Sequence, residues 1–119
     1  MSEQYAGGCH CGAVKFSYSG EKISKGLRCN CSLCARKGAL MSTEVIPIEK
    51  LSIEAKEGSL GLYQFGSKTA KHFFCKTCGI YPFHETARFA GHYRVNLGCI
   101  DGIDTSSLPS DLFDGKHLL

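Results

Sequence analysis

The chain has 119 residues, 14 Lys and Arg against 11 Asp and Glu for a formal charge of +3, 43% hydrophobic residues, eight cysteines and no tryptophan. This predicts one compact domain over residues 1–119, excludes disordered and collagen-like chains, and makes eight cysteines a large cross-linking capacity for so small a core. No apolar run approaches the roughly 18 to 20 residues that a bilayer demands, and residues 1–5 lack the basic and apolar parts of a signal peptide, so the expected setting is the cytoplasm, with no membrane partner.

In chain order, Val14, Phe16 and Tyr18 alternate with Lys15, Ser17 and Ser19, the pattern of a half-buried strand. Residues 32–37 read as a short helical turn, with Ser32 or Asn30 able to cap its start and Gly38 ending it. Further strand candidates cover 41–48, 51–54, 60–65, 71–75 and 80–84, with Pro82 expected at an edge or bulge. Tyr93, Val95 and Leu97 alternate with Arg94, Asn96 and Gly98 as another half-buried strand, and 107–113 reads as helical. The expectation is a mainly β fold with short helical turns. Phe73, Phe74, Tyr81 and Phe83 read as core, although one side of that stretch could line a pocket.

The cysteines fall as CxC (Cys9, Cys11), seventeen residues, CxCxxC (Cys29, Cys31, Cys34), forty residues, CxxC (Cys75, Cys78) and a lone Cys99. In a reducing compartment such clusters bind metal rather than form disulfides. A structural zinc takes four tetrahedral ligands, usually as two short bites from separate segments, and Cys9/Cys11 with Cys75/Cys78 supply two. Gly79 can take the positive φ of the second bite's turn, and Gly7-Gly8 reads as room for a knuckle at the first. Cys29, Cys31 and Cys34 remain as a trio at a helix start, and three protein ligands with a fourth position open is the pattern of a catalytic zinc. Cys99 reads as a small apolar residue, or else as a fourth ligand that would close the trio.

Seven thiolates around two Zn²⁺ contribute about −3, which brings the loaded chain near neutrality. No run of five Lys or Arg occurs, and the CxxC pairs spaced for a zinc ribbon are missing, so no nucleic-acid partner is expected. His10, His72, His84, His92 and His117 have no HxxxH spacing and read as surface or supporting residues rather than ligands. No GxSxG, P-loop or GxGxxG is present.

Gly8-Cys9-His10-Cys11-Gly12-Ala13-Val14, then Cys29-Asn30-Cys31-Ser32-Leu33-Cys34-Ala35-Arg36-Lys37-Gly38, then Phe73-Phe74-Cys75-Lys76-Thr77-Cys78-Gly79 resemble the glutathione-dependent formaldehyde-activating enzyme family, the S-(hydroxymethyl)glutathione synthases. The likeness is collinear from about residue 5 to about residue 101, ending in Val95-Asn96-Leu97-Gly98-Cys99-Ile100-Asp101. It implies a small zinc-stabilised β fold similar to those of a Rab-binding chaperone family and of B-type methionine sulfoxide reductases. It implies a structural zinc on Cys9, Cys11, Cys75 and Cys78 and a catalytic zinc on Cys29, Cys31 and Cys34. The implied activity is that of a carbon–sulfur lyase acting on S-hydroxymethylglutathione or a related glutathione–aldehyde adduct, with glutathione as co-substrate. The tail, residues 113–119, is shorter than in many members.

Glutathione's two carboxylates call for cations, and Arg36 and Lys37 adjoin the trio, with Lys68, Lys71 and Arg94 more distant in sequence. The competing reading is a non-catalytic zinc-stabilised protein-binding module. The trio separates the two, because a scaffold needs only the four-cysteine site.

Overall fold

The computed structural model describes residues 3–64, 70–87 and 89–118. Strands β1 (Glu3–Gly8) and β2 (Val14–Gly20) form an antiparallel hairpin in register from Glu3 opposite Gly20 to Gly8 opposite Lys15. Strand β6 (Ser52–Ala55) joins the free side of β2. Along β2, Val14, Phe16 and Tyr18 are buried while Lys15 and Ser19 face solvent, as the period-two pattern predicts.

A second sheet contains β3 (Gly26–Cys29), β4 (Met41–Ser42) and β11 (Ser110–Phe113) in the order β11-β3-β4. Helix α1 (Ser32–Lys37) leaves the end of β3, and helix α2 (Gly115–Leu118) follows β11. The third sheet has the order β5-β10-β9-β8-β7, from β5 (Ile46–Pro47), β7 (Leu60–Tyr63), β8 (Lys71–Cys75), β9 (Phe83–Glu85) and β10 (His92–Val95). The first and third sheets share a core in which Val14, Phe16, Ile46, Phe83, Val95 and Leu97 are 3% exposed or less. Phe83 is at its centre, edge-on to Phe16 at 6.1 Å and to Tyr93 at 6.0 Å. No helix among the described residues is long and apolar enough to cross a membrane.

The structure corrects several expectations. Of the expected helix at 107–113, Ser107 alone is helical, as the end of a 3-10 turn over Thr105–Ser107; Leu108 is extended, and Ser110–Phe113 pairs parallel to β3. Pro109 is the physical cause, since the residue before proline is driven out of the helical region, and its carbonyl accepts from Gly26 N at 2.9 Å. The span 41–48 is split between β4 and β5, which lie in different sheets. The strand expected at 80–84 is Phe83–Glu85, with Pro82 just outside it, where its missing N–H costs no ladder bond. Strands β1 and β3 carry weak period-two signals and were not anticipated. Phe65, at the end of the expected 60–65 strand, lies outside the described residues.

Candidate functional site

Cys9 and Cys11 sit in the turn of the β1–β2 hairpin, with Cys9 N bonded to Val14 O at 2.9 Å and Gly12 N to Cys9 O at 3.3 Å. Gly12 takes φ 84° there. Cys75 ends β8, and the turn to Cys78 is closed by Gly79 N on Cys75 O at 2.8 Å, with Gly79 at φ 81°. Gly7 and Gly8 belong to β1, not to the turn.

The four sulfurs lie within 4.8 Å of one another. Cys11 Sγ is 3.7 Å from Cys9 Sγ and 3.6 Å from Cys75 Sγ. A tetrahedral ion at 2.3 Å from each sulfur sets an edge of about 3.8 Å, whereas a disulfide needs about 2.05 Å. The donor set therefore fits zinc. Backbone donors prepare two of the thiols: the N–H of Cys11, then that of Ile80, draws Cys78 down to about 6, and the N–H of Cys78 lowers Cys75.

Cys29, Cys31 and Cys34 form the second group, again with sulfurs within 4.8 Å of one another. Cys29 is the last residue of β3, and Cys31 caps α1 by accepting from Cys34 N through Sγ at 3.4 Å, a role expected of Ser32 or Asn30. Gly38 ends the helix at φ 64°, its N–H on Cys34 O. Burial pushes the Cys34 and Cys29 thiols up; it opposes ionisation of Cys31 too, but the backbone N–H of Cys34 and further donors outweigh it and leave Cys31 lowered. Three adjacent thiols in this setting become three thiolates only with a cation among them, so this donor set also fits zinc.

Among the described residues, no fourth Cys, His, Asp or Glu joins this group. Cys99 does not close it. Its Sγ faces Tyr81 O at 3.8 Å, and burial first, then the charges of Cys9 and Cys78, push its thiol up to about 11.

Lys37 is one helical turn beyond Cys34 and turns inward. Its Nζ is 2.6 Å from His72 Nδ1 and 3.6 Å from the centre of the Tyr81 ring. His72 on β8 and His84 on β9 are opposite each other in register, with ring centres 5.5 Å apart. Tyr81 stacks on His84 with planes 9° apart, and its hydroxyl is hydrogen-bonded to His84 Nδ1. Burial pulls Lys37 down to about 8 against the opposing thiols of Cys34, Cys31 and Cys29. Burial, then the Lys37 charge, lowers His72 to about 4 and His84 to about 3, while burial raises Tyr81 well above its usual range. Both histidines are neutral at physiological pH.

The other expected cations lie elsewhere. Arg36 is exposed and donates through Nη1 to Ser32 O at 2.8 Å, on the outer face of α1. Arg94 Nη1 bonds Ser42 O and Thr43 O, each at 2.8 Å, and so ties β10 to β4. Lys71 is exposed on β8 opposite Glu85, and Lys68 lies outside the described residues. Sequence reasoning gave His72 and His84 only as surface or supporting residues and Tyr81 only as core or pocket lining, without grouping them. Their spacing carries no motif, and only the β8–β9 register brings them to Lys37.

The fold and its two sulfur clusters define a small β-rich protein with donor sets for metal, one of them three-sided. Residues 4–113 match the glutathione-dependent formaldehyde-activating enzymes, and the chain belongs to that family. It is similar to a Rhodobacter sphaeroides protein whose crystal structure was solved as a structural-genomics target, with 36% identity over 89% of this chain and 99% of that one and a TM-score of 0.76.

Proposed function

We propose that this protein is a zinc-dependent carbon–sulfur lyase acting on S-hydroxymethylglutathione or a related glutathione–aldehyde adduct, joining thiol and formaldehyde or separating them. One observation carries the reading: the three-sulfur group of Cys29, Cys31 and Cys34 has the Lys37 ammonium one helical turn away, fixed by His72 and Tyr81. Bound there, zinc supplies a docking position for a thiol sulfur and a modest polarising charge, because three thiolates already bring the site to about −1.

The chain's own groups supply the rest. An ammonium has no lone pair, so Lys37 donates to His72 Nδ1 and the His72 proton resides on Nε2. Lys37 keeps further N–H donors for the oxygen of the aldehyde or hydroxymethyl group. That oxygen gains negative charge as the S–C bond forms, and a fixed, partly buried cation stabilises it more than water does. Neutral His72 and His84 wall the site without adding positive charge that would weaken this contrast. Holding thiol and carbonyl in reacting geometry contributes on the order of 7 to 11 kcal/mol at best. Arg36, on the outer face of the same helix, is suited to a glutathione carboxylate at the rim.

On this reading, Cys9, Cys11, Cys75 and Cys78 hold a structural zinc, and residues 1–119 act as one domain. Eight free cysteines suit a reducing cytoplasm. NMR exchange spectroscopy of formaldehyde and glutathione, with and without the zinc-loaded protein, tests the proposal. Faster interconversion than the spontaneous background is expected; an unchanged rate at saturating protein overturns the lyase reading in favour of a binding module.

A further inference from the structure

The ligand-bearing end of β3 depends on one neighbour. Strand β4 pairs only with its first half, Ser42 opposite Gly26 and Met41 opposite Leu27. Strand β11 runs its full length, with Leu112 opposite Arg28 and Phe113 opposite Cys29. Where β3 ends, Asn30 takes over the connection. Its backbone N–H donates to Phe113 O at 3.3 Å, its Nδ2 donates to Asp114 Oδ1 at 3.0 Å, and its Oδ1 accepts from Lys116 N at 2.8 Å. Both ends of the side-chain amide are therefore engaged by the tail. Asp114 is itself held through Oδ2 by His117 Nδ1 at 2.8 Å.

Asn30 is the residue between Cys29 and Cys31. Fixing its backbone and amide fixes the rotation of the chain as it turns from strand to helix cap, and with it the directions of two sulfurs. Among the described residues, the hydrogen bonds of Asp114, Lys116 and His117 run to Asn30 and within the tail, not to the four-sulfur group. Asp114 and Lys116 also lie beyond residues 4–113, the span matched by the family, so the partners of the Asn30 side chain are outside that match.

We infer that the C-terminal segment, residues 110–117, is the supporting wall of the three-sulfur group, with Asn30 and Asp114 as positioning residues that hold Cys29 and Cys31 ready for metal. This rests on the metal role proposed for Cys29, Cys31 and Cys34. Loss of a supporting hydrogen bond around metal ligands typically weakens metal affinity 10- to 100-fold.

The test uses full-length protein, zinc and a chromophoric chelator in competition, with Co²⁺ absorption as a second readout. Wild type should hold two ions, and Cys31→Ser identifies which belongs to the trio. Asn30→Ala and Asp114→Ala should weaken that ion 10- to 100-fold and leave the other unchanged. Asp114→Asn should restore it, because its carbonyl oxygen still accepts from Asn30. Should Asn30→Ala fail to fold, the Asp114 pair decides alone. Unchanged affinity in Asp114→Ala, or equal weakening of both ions, overturns the inference. A wild-type stoichiometry of one, unaffected by Cys31→Ser, overturns the metal reading of the trio and the inference with it, and is seen before any tail variant is made.

Discussion

Lys37 and His72 meet with Nζ 2.6 Å from Nδ1 across 35 residues of sequence, joining the helix that carries Cys34 to the strand that ends in Cys75. The contact fixes the Lys37 ammonium where it feels the charges of Cys34, Cys31 and Cys29, and aims it by hydrogen bond to a neutral ring rather than by charge pairing.

Replacing Lys37 by Met removes the donor while keeping much of the chain's bulk over Tyr81. The catalysed formaldehyde–glutathione exchange should fall about 100- to 1,000-fold, the loss typical for one preorganised donor. Zinc content should stay at the wild-type value. Wild-type exchange in Lys37→Met would remove the ammonium from the mechanism.

Arg36→Ala should act differently, because Arg36 is exposed and, among the described residues, hydrogen-bonds its own helix backbone. The thiol concentration for half-maximal rate should rise while the limiting rate and the bound zinc hold steady. A steady-state titration in glutathione separates the two behaviours.

The histidine pair predicts an acid-sensitive fold. Burial lowers His72 to about 4 and His84 to about 3, so the unfolded chain takes up protons near 6.5 that the folded chain refuses. The unfolded state binds more protons between about 6.5 and 3, and stability falls as the pH drops through that window. Urea denaturation of the zinc-loaded protein under reducing conditions should show a shallower pH dependence for His72→Gln, which cannot titrate, than for wild type. Parallel curves for variant and wild type would contradict the assignment.

Cys9→Ser and Cys31→Ser should part ways. The four-sulfur group ties the β1–β2 hairpin to the end of β8, and structural zinc binding is worth about 10 kcal/mol or more, comparable to a small domain's whole stability of about 5–15 kcal/mol. Cys9→Ser should lose cooperative unfolding, whereas Cys31→Ser should melt cooperatively with one ion fewer. Circular dichroism melts with zinc analysis distinguish these outcomes.

Gly7 is a site where one methyl group should be costly. Strand β1 bridges Ile100 at Gly7, and a Cβ there would lie 2.1 Å from the backbone oxygen of Cys99. Backbone cannot swing aside as a side chain does, so Gly7→Ala should cost about 1–3 kcal/mol by overpacking. A shifted urea midpoint at unchanged slope checks this.

Much of the site's outline was readable along the chain. The short bites of Cys9/Cys11 and Cys75/Cys78, the CxCxxC run and the turns at Gly38 and Gly79 are local, because ligand spacing and positive φ are properties of a few consecutive residues. The same locality misled at 107–113, where Pro109 and pairing with β3 outweighed a short helical signal. Spacing alone left Arg36 and Lys37 equivalent beside the trio, whereas in the fold Lys37 reaches His72 and Arg36 stays exposed on its own helix backbone.

By itself, the sequence determined the β-rich class, the short helix at 32–37 and the partition of seven cysteines into groups of four and three, each set by periodicity or spacing within a few residues. Tertiary structure alone decided that Cys99 stays out of the trio, that His72 and His84 flank Lys37, and that the tail fastens Asn30. Those relationships depend on which strands pair and in what register, and pairing is settled by burial and hydrogen bonding across the whole molecule rather than by neighbours in sequence.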